Sequence, residues 1–213
     1  MKYKLVIFDL DGTILNTIGD LWSSCNYALE IKGLPSVTIE QVKSYIGNGI
    51  KNLMQLASKN RGNVEELLDD FKFHYQKNYN ALTKPYDGIE DVFAFCKEKG
   101  IFIGVLTNKV EEIARKLVEE HFPKIMTFVY GEVTGRPRKP DPTFLLKLIS
   151  AYGLSKDEVL YIGDSEVDIK TCKQAKIDGL FVSYGYRKKE ELLKETSWVV
   201  DHPKEIIQYL GED

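Results

Sequence analysis

Residues 5–13 read Leu-Val-Ile-Phe-Asp-Leu-Asp-Gly-Thr, LVIFDLDGT. Four apolar residues run unbroken into Asp9 and Asp11, then into Gly12 and Thr13. A short apolar run without polar alternation is the pattern of a strand covered on both faces, as in a parallel sheet. Working outward, similar runs lie at residues 3–8, 101–106, 126–130, 159–162 and 180–183. Helical spacing separates them: Ile113, Ala114, Leu117 and Val118; then Phe144, Leu145, Leu148 and Ile149; then Val167, Ile169 and Ala175. Strands alternating with helices predict an α/β fold, a doubly wound parallel sheet with helices on both sides.

Residues 16–82 interrupt that alternation and read as helices, at 17–32, 38–45, 50–58 and 64–79. The expected organisation is a core of residues 1–15 and 83–213 with a small helical cap, residues 16–82, inserted after the first strand. Two linkers, near residues 14–17 and 82–85, allow hinge motion of such an insert.

Composition excludes several function classes. A net charge of −3, with lysines and arginines interleaved among acids, offers no polyanion surface, so no nucleic-acid partner is expected. The apolar runs are far shorter than a membrane span, and no secretory leader pattern is read. Cys25, Cys96 and Cys172 are isolated and odd in number, as are His74, His121 and His202. They read as structural residues in a reducing, cytoplasmic setting rather than as a zinc site.

Two acids one residue apart at a strand end need a reason, because their charges repel. A calcium loop would use Asp9, Asp11, Thr13 and Asp20, but its sixth position requires glycine and here is Ile14. A plain strand-ending turn is the bland alternative. The third reading is a reactive site, since ligands of open α/β sheets bind beyond the carboxyl ends of strands. Other polar groups sit at comparable places: Thr107-Asn108-Lys109 after residues 101–106, Lys139-Pro140-Asp141-Pro142 before a helix, and Gly163-Asp164-Ser165-Glu166-Val167-Asp168 after residues 159–162. Two acids, a hydroxyl, a lysine and further acids are the inventory of a Mg²⁺-dependent phosphoryl-transfer site.

The motifs DLDGT, LTN, KP and GDSEVD, in that order over essentially the whole chain, resemble the haloacid dehalogenase (HAD) superfamily of phosphatases, whose core is Rossmann-like. The helical insert, Tyr45-Ile46-Gly47-Asn48-Gly49 within it, and Tyr184-Gly185-Tyr186 resemble the phosphoglycolate phosphatase-like branch. The resemblance implies that Asp9 is a nucleophile forming an aspartyl-phosphate and that Asp11 is the acid and base. It also implies that Mg²⁺ is held by Asp9, Asp164 and the Asp11 backbone carbonyl. Gly12, Thr107 and Asn108 would receive the phosphoryl oxygens, although Thr107 or Asn108 could equally cap a helix. Lys139 would stabilise charge on the transferred group. Asp168 is either a supporting group near the metal or Lys139, or the acid of a Ser165-x-x-Asp168 capping box. Gly47 and Asn48 form either a substrate-facing loop or a break between helices.

The expected function is hydrolysis of a small phosphorylated metabolite by a monomer or homodimer. The alternatives are a pyrophosphatase or a β-phosphoglucomutase-like phosphotransferase on the same scaffold, and more remotely a non-catalytic phosphate-binding protein.

Overall fold

The computed structural model describes residues 1–211. The apolar run of the first motif becomes β1 (Leu5–Phe8), every residue of which is buried. β2 (Leu15–Asn16) follows, then four helices: α1 (Ile18–Ile31), α2 (Ile39–Tyr45), α3 (Gly49–Ala57) and α4 (Val64–Asn78). Next come β3 (Lys84–Pro85), α5 (Ile89–Glu98), β4 (Phe102–Val110), α6 (Glu111–His121), β5 (Phe128–Glu132) and α7 (Thr143–Ala151). The chain continues through β6 (Val159–Gly163), α8 (Glu166–Ala175), β7 (Asp178–Val182), α9 (Lys189–Leu192), β8 (Val199–Val200) and α10 (Pro203–Gly211). It divides into two compact units, Met1–Leu15 with Pro85–Asp213, and Asn16–Lys84.

The first unit is a six-stranded sheet in the order β5-β4-β1-β6-β7-β8. The strand pairs are parallel, and Leu5 stands opposite both Phe102 of β4 and Val159 of β6. Alternation across β1 explains its unbroken apolar run. Leu5 and Ile7 join a cluster with Leu145, Leu148 and Ile149 of α7 and Ile169, Cys172 and Ala175 of α8. On the other face Phe8 meets the edge of Phe93 of α5 at 5.4 Å between centroids, and Phe93 meets Phe122 at 5.1 Å. Each such fully buried side chain contributes about 1.5–3 kcal/mol. The chain runs from β1 outward through β4 to β5, then crosses to β6 on the opposite side of β1. That reversal opens a crevice at the carboxyl ends of β1, β4 and β6.

The second unit is helical. Its α2 starts with a Thr38–Gln41 capping box, and the Asn63 side chain accepts from Glu65 N at the start of α4. Buried Asp20 on α1 accepts from Leu82 N, Thr83 N and Thr83 Oγ1 at 2.9, 2.9 and 2.7 Å, fastening the returning chain to that helix.

Three details differ from the sequence reading. β1 begins at Leu5 rather than at residue 3. β4 does not stop at residue 106 but continues to Val110, with a register shift against β5 between Leu106 and Val110. Finally, β2, β3, α5, α9, α10 and β8 were not anticipated, although Ile89, Val92, Phe93 and Cys96 carry clear helical spacing.

Candidate active site

Three adjacent strands deliver the polar groups to one rim. Asp9 and Asp11 follow β1, Thr107, Asn108 and Lys109 lie in the irregular last turn of β4, and Asp164 follows β6. Among the described residues, Asp9, Asp164 and Asp168 each offer one carboxylate oxygen, all within 4.8 Å of one another. The donors are oxygen only. That set fits a hard divalent cation such as Mg²⁺ and fits neither zinc nor copper well.

Lys139 sits inside this cluster. Its Nζ lies 3.0 Å from Asp9 Oδ1, 2.7 Å from Asp168 Oδ1 and 2.8 Å from Tyr161 Oη, so all three ammonium hydrogens have acceptors. Burial disfavours the charge on Lys139, yet the fields of Asp168 and Asp9 outweigh it and hold the amine above the usual lysine range. Tyr161, fully buried in β6, donates to the Leu106 carbonyl at 2.8 Å and so links β6 to β4 beneath the site. Asn108 Nδ2 donates to the Lys139 carbonyl at 2.9 Å, fixing the segment that carries the lysine. The Lys139-Pro140 peptide bond is cis.

Asp9 accepts from Leu10 N at 2.7 Å and is hydrogen-bonded to the Thr107 side chain. Burial pushes its carboxyl up to about 6, opposed by Lys139 and reinforced by Asp168. Burial also pushes Asp164 well above the ordinary carboxylate range, with Asp168 and Asp9 adding to the effect. Its Oδ2 accepts from Tyr186 N at 2.7 Å, so the Tyr184-Gly185-Tyr186 segment closes one wall of the site. Gly12 has φ +81°, and a Cβ there would overlap the Asp164 carboxylate. Only glycine lets β1's turn approach β6 so closely.

The two readings of Asp168 prove compatible. Oδ2 accepts from Ser165 N and Oγ at 3.1 and 2.6 Å as a capping box, while Oδ1 holds Lys139. The helix-cap reading of Thr107 and Asn108 fails, because α6 starts at Glu111 with Val110 at the cap position. Gly47 and Asn48 lie in the helical unit, between α2 and α3. Sequence reasoning gave no role to Tyr161 or Lys109. Lys109 Nζ reaches both oxygens of Asp11, at 2.9 and 3.2 Å. The signal was a third consecutive polar residue after an apolar run.

Residues 6–182 match the family model of haloacid dehalogenase-like hydrolases. An N-acetylmuramic acid 6-phosphate phosphatase of Pseudomonas aeruginosa is 32% identical over 99% of this chain and 96% of its own length. A phosphoglycolate phosphatase of Aquifex aeolicus is 27% identical, covering 97% and 96%. A crystal structure from Lactobacillus delbrueckii subsp. bulgaricus, provisionally assigned as a phosphoglycolate phosphatase, superposes with a TM-score of 0.91. It is 32% identical over the full length of both chains.

Proposed function

The chain belongs to the haloacid dehalogenase-like hydrolases and is a phosphoric monoester hydrolase, and on that premise we propose that it cleaves small organic phosphomonoesters through an aspartyl-phosphate on Asp9. The observation that carries this reading is the convergence of Asp9, Asp164 and Asp168 within 4.8 Å, with Lys139 Nζ 3.0 Å from Asp9.

A carboxylate oxygen of Asp9 attacks phosphorus while the bond from phosphorus to the ester oxygen breaks. The departing oxygen takes the proton of Asp11 and leaves as an alcohol. Water then attacks the same phosphorus and gives a proton to Asp11. The bond from phosphorus to Asp9 breaks, releasing inorganic phosphate and restoring the carboxylate. Lys139 holds Asp9 aimed through Oδ1 and offers positive charge beside the phosphoryl group. Gly12, Thr107 and Asn108 surround the phosphoryl position with backbone and hydroxyl donors. Asp9, Asp164 and the Asp11 carbonyl would hold Mg²⁺, with Asp168 supporting through Lys139. When bound, the cation neutralises charge shared by the nucleophile and the phosphoryl oxygens. The helical unit, through Gly47 and Asn48, would act as a cap that selects the non-phosphate end of the substrate.

The named substrates of the two relatives are alkyl phosphomonoesters that also carry a carboxyl group, so this class comes first. The test is kcat/KM for a panel of such esters, p-nitrophenyl phosphate, pyrophosphate and hexose phosphates, with and without Mg²⁺. Metal-dependent phosphate release lost in Asp9→Asn supports the reading; full turnover by Asp9→Asn refutes it. Preference for pyrophosphate, or exchange between sugar phosphates, would point to the other chemistries on this scaffold.

A further inference from the structure

We propose that Lys109 is a positioning residue for the acid–base carboxyl of Asp11. This rests on the assignment of Asp11 made above. The two residues are 98 positions apart in sequence. The Lys109 side chain is only 3% exposed, and its ammonium faces both carboxylate oxygens of Asp11, at 2.9 and 3.2 Å. One ammonium shared by both oxygens tethers the carboxyl group at a set distance and keeps it from swinging away. The lysine is itself anchored. Its N–H lies 3.3 Å from Thr107 Oγ1. A Cβ on Gly131 of β5 would overlap the Lys109 carbonyl, so that glycine lets β5 close against this turn. Gly131 N in turn donates to Glu111 Oε2 at 3.2 Å. The register shift of β4 is therefore what aims Lys109 at Asp11 across the crevice mouth.

Asp11 has to meet the leaving oxygen and later a water molecule, and either contact fails if the carboxyl rotates away. A misplacement of about 1 Å costs on the order of 10²-fold in rate.

The test compares wild type, Lys109→Met, Asp11→Asn and the double variant on an alkyl phosphate monoester and on p-nitrophenyl phosphate. Lys109→Met lowers kcat on the alkyl ester by about 10²-fold and leaves KM within about threefold. p-Nitrophenolate leaves without a proton. In Lys109→Met its first equivalent is therefore released at nearly the normal rate, and acid quenching traps phosphorylated enzyme. The double variant is no slower than Asp11→Asn, because Lys109 acts only through Asp11. Lys109→Arg, which keeps the charge, recovers about tenfold of the loss and carries the same comparison if the Met variant does not fold. Losses that multiply in the double variant, or a loss confined to KM, overturn the proposal, since Lys109 would then act on substrate directly. A fully active Lys109→Met beside an inactive Asp11→Asn overturns the proposal alone. A fully active Asp11→Asn overturns the assignment of Asp11 as well.

Discussion

Replacing Asp168 with asparagine tests the charge at the centre of the site while preserving side-chain volume. Asp168 is fully buried, and both oxygens accept: Oδ1 from Lys139 at 2.7 Å, Oδ2 from Ser165 N and Oγ at 3.1 and 2.6 Å. Asparagine has one oxygen and one NH₂ group. In one orientation the NH₂ faces the Ser165 N–H; in the other it faces the Lys139 ammonium. Either way a donor meets a donor. Removing one partner of a buried pair costs about 3–5 kcal/mol. Lys139 keeps Asp9 at 3.0 Å and Tyr161 at 2.8 Å, which places the expected loss at the lower end, about 3 kcal/mol. For a chain of this size about 2–4 °C of Tm follows each kcal/mol, so Tm should fall by about 6–12 °C. Differential scanning calorimetry in EDTA at pH 7 reads this without interference from metal. In a double-mutant cycle the Lys139→Met/Asp168→Asn variant should lose less than the two single losses added together, because the second substitution finds the pair already broken. A fall under about 2 °C, or losses that simply add in the double variant, would refute a buried Lys139–Asp168 pair.

The other expectations concern distinct parts of the molecule. Gly12→Ala should lose about 1–2 kcal/mol from the left-handed backbone alone and also displace the Asp164 carboxylate, read by denaturant titration together with p-nitrophenyl phosphate turnover. Asp9 has its carboxyl pushed up to about 6, mainly by burial, from an ordinary 3.8. Its stabilising contribution to the metal-free protein is therefore complete below 3.8 and lost as pH rises through 6, and Asp9→Asn should flatten the Tm profile across that window. Mg²⁺ requires the ionised form, so its affinity should weaken about tenfold per pH unit below 6, with at least one proton released on binding. Titration calorimetry in buffers of different ionisation enthalpy counts that proton. In the helical unit, Asp20→Ala strands Thr83 N and Oγ1 and should cost about 2 kcal/mol, with faster hydrogen exchange at residues 82 and 83.

The sheet was legible because both faces of β1 are covered, which removes polar alternation and leaves runs such as LVIF. The acids of the site were legible because each stands next to such a run. What escaped was set by pairing between strands. Nothing local marks β4 as continuing past Leu106, since its extension depends on β5 standing beside it. Tyr161 read as one more apolar residue of β6, and its phenol gains meaning only when Lys139, Asp168 and the Leu106 carbonyl converge on it. Lys109 shared its charge with many surface lysines, and only folding shows that this one is buried against Asp11. Asp168 showed its local role, the capping box, through spacing, whereas its place near Lys139 came only from the family resemblance. A single carboxylate has two oxygens, and spacing exposes the partners of only one.

The repulsion between closely spaced acids is answered in two ways. Lys139 serves Asp9 and Asp168, and Lys109 serves Asp11. Four carboxylates, counting Asp164, then face two ammonium groups, leaving two negative charges unbalanced at the rim. Burial first, and the neighbouring carboxylates after it, favour protonation in the metal-free protein, so Asp9 is pushed up to about 6 and Asp164 well above its ordinary range. On the proposed mechanism a divalent cation would supply the missing charge, and the oxygens that hold protons without it would become its ligands. A more basic rim would bind phosphate tightly in the ground state and gain nothing in the transition state. Without Lys139, Asp9 would lose the neighbour that most opposes its protonation. On the proposed mechanism, the balance of two lysines against four acids would make Asp9 depend on the cation, so that its reactivity and metal occupancy would rise together.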